Sequence, residues 1–106
     1  MRLTKTALAL VLSLGSTAAI AEGTTHEMLI LDNTFFPEEI ILKEGDSIKF
    51  VNKTGHTRRV TAKDSSWNTY DIDPGHSKTV LFAPDTYPTF QTGYDGRIQG
   101  EIFYMD

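Results

Sequence analysis

The chain has 106 residues, ten basic and fourteen acidic side chains, and no cysteine. A chain of this size holds a single folded domain, and without cysteine it can form neither disulfides nor thiolate bonds to a metal. Its net charge of −4 disfavours nucleic acid and anionic lipid as partners.

The first residues read as an address. Met1-Arg2-Leu3-Thr4-Lys5 is a short basic start, Thr6 to Ile20 is apolar apart from small residues, and Ala19-Ile20-Ala21 matches a small-x-small cleavage site. This order is that of a secretory signal peptide, residues 1–21, cut after Ala21. The apolar run is shorter than the roughly 20 residues of a bilayer-spanning helix, and no cysteine follows the cut to carry a lipid, so no membrane anchor is expected. Residues 22–106 are then one exported, periplasmic domain. Without Arg2 and Lys5, eight basic residues face fourteen acidic ones, a net charge of −6. That sign is compatible with a basic partner protein or with cations. A small exported domain without disulfides needs a well-packed core, a metal or a partner for stability, and the core is expected to suffice.

The remainder has the pattern of short strands. His26 to Leu31 alternates weakly and ends at Asp32-Asn33. Ile40-Ile41-Leu42 is closed by the turn Lys43-Glu44-Gly45-Asp46. Ser47 to Val51 alternates cleanly, with Ile48 and Phe50 on one face and Lys49 on the other. Asn52-Lys53-Thr54-Gly55 breaks that strand, and Arg59 to Ala62 resumes. Residues 64–68 form a loop, and Asp73-Pro74-Gly75 is a strong turn. Ser77 to Phe82, Tyr87 to Gln91 and Gln99 to Tyr104 are the last three strands. No helical period is sustained, so the pattern predicts an antiparallel β-sandwich or barrel of about seven or eight strands.

Three segments together carry a family resemblance. They are Phe36-Pro37-x-x-Ile40-x-Leu42-x-x-Gly45-Asp46-Ser47-Ile48-Lys49-Phe50-Val51-Asn52, then Asp73-Pro74-Gly75-His76-Ser77, then Asp85-Thr86-Tyr87 with a loop running to Gly100. In this order and spacing the chain resembles the plastocyanin and amicyanin branch of the cupredoxins. The resemblance implies an all-β, Greek-key β-sandwich of cupredoxin type. It also implies a type 1 copper site, whose blue centre requires a cysteine thiolate. Laid over the family's C-x-x-H-x-x-M-x-G loop by counting back from Gly100, Thr92 takes the cysteine position, Asp95 the histidine and Ile98 the methionine. Arg58, six residues after Asn52, takes the other histidine. The resemblance thus implies a degenerate site. Arg58 and Asp95 either form an ion pair across it or stand apart in solvent. By the same resemblance, Asn52 clamps two loops; its plainer role is to end a strand.

Three histidines remain. His26 reads as an ordinary polar residue near the start of the domain. The fold analogy brings His56 and His76 to the former metal pole, where with Asp95 they form a His/His/carboxylate set suited to weakly held divalent copper or iron; solvated loop histidines are the plainer alternative. Met28 and Met105 read as packing residues. Of the aromatics Phe35, Phe36, Trp67, Tyr70, Tyr87, Phe90, Tyr94, Phe103 and Tyr104, most are expected in the core. Trp67, Tyr70 and Tyr94 lie near turns, where an exposed docking patch is the alternative.

No catalytic motif appears. The expected function is that of a periplasmic, non-enzymatic cupredoxin-like protein without a type 1 copper site, docking an unidentified periplasmic protein or loosely handling a divalent metal. A copper electron carrier and a structural module of a periplasmic complex are the alternatives; an immunoglobulin-like adhesion domain lacks its Cys…Trp…Cys framework.

Overall fold

The computed structural model describes residues 23–93 and 96–105, so the signal-peptide expectation lies outside the described residues. Eight strands occur among them: β1 (Thr25–Ile30), β2 (Phe35–Phe36), β3 (Glu39–Leu42), β4 (Ser47–Asn52), β5 (Thr61–Ala62), β6 (Ser77–Leu81), β7 (Thr89–Thr92) and β8 (Ile98–Tyr104). They make two four-stranded sheets, ordered β2-β1-β4-β6 and β3-β8-β7-β5. The chain passes from one sheet to the other at five of the seven connections among these strands. This is why the sheets are mixed rather than antiparallel as expected. β1 and β4 pair in parallel, as do β3 and β8: the chain visits the opposite sheet through β3 between the first two, and through β4 and β6 between the second two.

Alternation decides what enters the sandwich. Ile48, Phe50 and Asn52 point inward from β4, Met28 and Ile30 from β1, Phe90 and Thr92 from β7, and Ile98, Gly100 and Ile102 from β8. Phe35, Phe50, Phe82, Phe90 and the half-buried Trp67 form an aromatic cluster, edge-to-face at Phe35–Phe90 (centroids 5.1 Å apart) and tilted at Trp67–Phe90 (5.8 Å). Gly100 faces Phe90 across the β7–β8 ladder. A Cβ there would lie 2.5 Å from Phe90 Cε2 and 3.2 Å from Phe35 Cδ2, so the ring occupies the space a side chain would take.

Three expectations change. Arg59–Ala62 contracts to Thr61–Ala62, because the Val60 N–H donates to the Thr69 hydroxyl (3.1 Å) rather than to a strand. The strand expected from Tyr87 begins at Thr89, since Pro88 has no N–H to give to the ladder. Phe36, Tyr70, Tyr87 and Phe103 are 63, 67, 40 and 45 % exposed instead of packed. Phe36 and Phe103 follow inward neighbours, Phe35 and Ile102, and so take the outward positions of their strands. Met28 is buried in the core, whereas Met105 is half exposed.

His26 is not simply solvated. Its Nε2 lies 3.0 Å from Asp46 Oδ2. The buried Asp46 carboxylate also accepts the Lys43 N–H (3.0 Å) and the Thr24 N–H (2.8 Å), joining the entry of β1 to the turn before β4. These bonds, the Lys43 N–H foremost, then His26, pull its pKa from 3.8 down to about 2 against the opposing effect of burial. Because the folded value is the lower one, the carboxylate stabilises the fold above pH ~4 and loses that contribution as pH falls through about 2. The contribution at neutral pH is about 2 kcal/mol. In urea unfolding, Asp46→Asn is expected to lower stability by roughly that amount at pH 7 and to flatten the fall in stability between pH ~4 and ~2. Gly100→Ala is expected to cost about 1–3 kcal/mol through overpacking against Phe90.

Candidate functional site

One end of the sandwich gathers most of the residues singled out in the sequence. β4 and β7 finish there, and β6 and β8 begin there, as the pairings Val51–Ser77 and Thr92–Ile98 require. The inward positions at the ends of β4 and β7 would point into the mouth of the core. They carry Asn52 and Thr92, polar residues that are nonetheless buried. Burial of such groups demands hydrogen bonds, and both have them.

The Asn52 amide is fully engaged. Its Nδ2 donates to His56 O (2.7 Å) and Ile72 O (2.8 Å), and its Oδ1 accepts from the Thr54 N–H (2.9 Å) and the Thr54 hydroxyl (2.7 Å). Its backbone N–H donates to His76 O (2.9 Å), and its carbonyl accepts the Gly75 N–H (2.8 Å). One residue thus ties the loop after β4 to the segment before β6. Among the described residues its side-chain partners are Thr54, His56 and Ile72, none of them in the loop after β7.

The positions that the resemblance puts around a metal differ in character. Thr92 donates its hydroxyl to Arg59 O at 2.8 Å. Ile98 is 4 % exposed and belongs to the hydrophobic core. Arg58 is half buried; its backbone exchanges hydrogen bonds with Ile72 (3.0 and 2.7 Å), and its Nε lies 3.4 Å from the Thr54 hydroxyl. Asp95 lies outside the described residues, and with it the expected Arg58–Asp95 pair. His56 and His76 are both exposed and both flank Asn52 through their carbonyls. Among the described residues no three His, Asp or Glu side chains converge in a way that could hold a metal ion.

Sequence reasoning missed two arginines of this pole, and it left Tyr70 open between core packing and an exposed docking patch. Arg59 pairs with Asp71 (Nη2–Oδ1 3.0 Å) on the surface, where such a pair contributes little. Tyr70, next to Asp71, holds a left-handed backbone (φ 60°) that an aromatic residue seldom adopts. Side chains brace it: Asn68 Oδ1 accepts the Tyr70 N–H and the Thr69 hydroxyl donates to Tyr70 O, both at 2.7 Å. Arg97 is brought in by the start of β8. Two adjoining depressions result. One is lined by Thr57, Arg58, Arg59, Thr61, Thr92 and Gly93; the other, of about 220 Å³, by Asp32, Asn33, Arg58, Gly93, Arg97 and Ile98. Every arginine after the expected cleavage site therefore lies at this pole. The available signal was residue type, since the domain uses lysine everywhere else.

No protein-family profile and no curated protein matches the chain. Solved structures do. An oxidised proline-to-glycine mutant of amicyanin is 16% identical, with a TM-score of 0.65, over 83% of this chain and 88% of that one. The metal-binding domain of the Cu(I)-exporting P-type ATPase CopA of Streptococcus pneumoniae D39 is 17% identical, with a TM-score of 0.66, over 84% and 93%. A copper-containing nitrite reductase of Thermus scotoductus SA-01 matches with a TM-score of 0.67 and 15% identity over 87% of this chain, which spans only 25% of that protein. The fold is a cupredoxin-type β-sandwich, as the resemblance of the sequence implied.

Asn52→Ala is expected to destabilise the domain by about 3 kcal/mol, because it removes four side-chain hydrogen bonds from a buried position and leaves the Thr54 N–H without its acceptor. Hydrogen exchange should then accelerate at Thr54 and Gly75 while the β7–β8 amides stay protected.

Proposed function

We propose that this is an exported, periplasmic, non-enzymatic cupredoxin-like domain that has no type 1 copper site and uses the former metal pole to dock a partner. The observation that carries the reading is the donor set. A type 1 site takes one thiolate and two imidazoles around copper. The chain has no cysteine. At the aligned positions Thr92 spends its hydroxyl on a backbone carbonyl, Ile98 offers hydrocarbon, and Arg58 carries a positive charge that repels a cation. These residues do not fit the copper ion of the parent family. Arg58, Arg59 and Arg97 instead line two adjoining depressions, and arginine is among the residues enriched at the centres of protein interfaces.

Two measurements test this. Protein loaded with copper is expected to show no intense band near ~600 nm, where copper–thiolate bonding absorbs; a strong band there would sink the reading. A photo-crosslinking residue at Thr57 is expected to give a discrete adduct in the native periplasm that disappears with Arg58→Glu, whereas one at Leu81 gives none. Equal labelling at both positions would remove the pole as a docking face.

A second reading rests on the Asn52 clamp, which brings the exposed His56 and His76 to one loop cluster. Two imidazoles with Asp95 would suit loosely held copper or iron. Calorimetric titration with cupric and ferrous ions is expected to give weak heat that His56→Ala abolishes. Heat unchanged in that variant, or absent from the parent, ends this reading.

A further inference from the structure

We propose that the free edge of β3 accepts one further strand, an extended segment of a partner protein that alternates basic and apolar residues on one face. This surface is separate from the pole: β8 leaves the pole at Ile98 and meets β3 only from Glu101 onward. The first ground is the backbone. Glu101 stands opposite Glu39, Ile102 opposite Ile40 and Phe103 opposite Ile41. The Glu101 N–H donates to Glu38 O (3.0 Å) and the Met105 N–H to Leu42 O (2.8 Å). The even-numbered residues 38, 40 and 42 therefore turn their backbone groups to β8, and Glu39 and Ile41 turn theirs the other way. β3 is the outermost strand of its sheet, and no hydrogen bond reaches those N–H and C=O groups among the described residues. A row of this kind is a template for strand addition.

The second ground is what flanks that row. On the outer face of the sheet Glu39 lies beside Glu101, and Ile41 beside Phe103. Ile41 is 58 % exposed, so an apolar pair is left bare next to two carboxylates. Neither carboxylate has an ion-pair or side-chain hydrogen-bond partner among the described residues. Lys63 borders the same depression, but its Nζ donates to Gln99 Oε1 (3.1 Å) and reaches neither of them. A charge on an edge strand commonly guards it against aggregation. That role explains Glu39 alone. It does not explain a second like charge beside it on the interior strand β8, where the two repel, nor the bare apolar pair. The charges also choose the occupant. A second copy of this acidic chain would bring another Glu39 to the seam. A segment with a basic residue opposite Glu39 and an apolar one opposite Ile41, two positions away, complements both.

The probe is a blocked peptide, TKTVTKT, whose lysine, valine and lysine row reads alike in either strand direction. Added to nitrogen-15-labelled exported protein, it is expected to give saturable shifts and slowed hydrogen exchange at the Glu39 and Ile41 amides. The affinity should fall with salt. N-methylation of the valine and of the threonine after it blocks backbone pairing in both directions and should abolish binding. Glu39→Lys should reduce affinity about fivefold or more, whereas Glu27→Lys, on the outer face of the other sheet, should leave it unchanged. Ile41→Pro removes an N–H that β8 does not use, and should abolish binding while the β8 amides stay protected. If that variant folds poorly, Glu101→Gln provides a second readout, again a loss of affinity. No saturable shift, shifts that survive N-methylation, or shifts confined to other strands overturn the added strand. So does dimerisation of the protein without peptide, seen in sedimentation and removed by Glu39→Lys. None of these outcomes touches the docking pole, which the copper band and the crosslink at Thr57 report.

Discussion

The primary amide of Asn52 is the contact on which the candidate functional end of this domain depends. β4 delivers it, fully buried, to the mouth of the sandwich, and both its donors and its acceptor are used. An apolar residue in that position would take one donor from each of the carbonyls of His56 and Ile72 and leave the Thr54 N–H without its acceptor. Because those carbonyls belong to different loops, the amide sets the distance between the segment bearing Arg58 and the segment bearing His76. A carboxylate in its place would lose both donors. The geometry of the pole is therefore set from beneath, by a residue that touches no ligand.

The opposite end is closed by different chemistry. There Asp46, an ionised carboxylate, accepts two backbone N–H groups and stands against His26. Neutral amide at one end and anion at the other follow from what each must join. Asn52 meets carbonyls and needs donors; Asp46 meets N–H groups and needs acceptors. Between them the aromatic cluster around Phe90 holds the sheets together, and Gly100 makes room for its ring. The two parallel pairings make these end contacts more important, since strands paired in parallel are not joined by tight hairpins.

A scaffold shared with copper proteins need not share their chemistry, because the fold supplies positions and the side chains supply function. At this end of the sandwich the chain carries a half-buried guanidinium at Arg58, a hydroxyl at Thr92 turned to backbone and a buried hydrocarbon at Ile98. Tyr70, held in a strained backbone and mostly exposed, adds an aromatic surface beside Arg59 and Asp71. Strain of this kind persists only where surrounding contacts enforce it, and the Asn68 and Thr69 side chains do so.

The sequence alone determined the fold class. The alternation of Ser47 to Val51, the Gly45-Asp46 and Asp73-Pro74-Gly75 turns and the Phe36-Pro37 step are local features, and local features survive without coordinates. It also determined that no thiolate exists, which is a matter of composition. Period-two alternation says which residues share a face, but it leaves open which strand lies alongside. Hence the parallel pairings, the His26–Asp46 contact across 20 residues and the exposure of Phe36 and Phe103 emerged only in three dimensions. The grouping of Arg97 with Arg58 and Arg59 belongs with them. Thirty-eight positions separate Arg59 from Arg97 in the chain, and only the return of β8 beside β7 brings them to one surface.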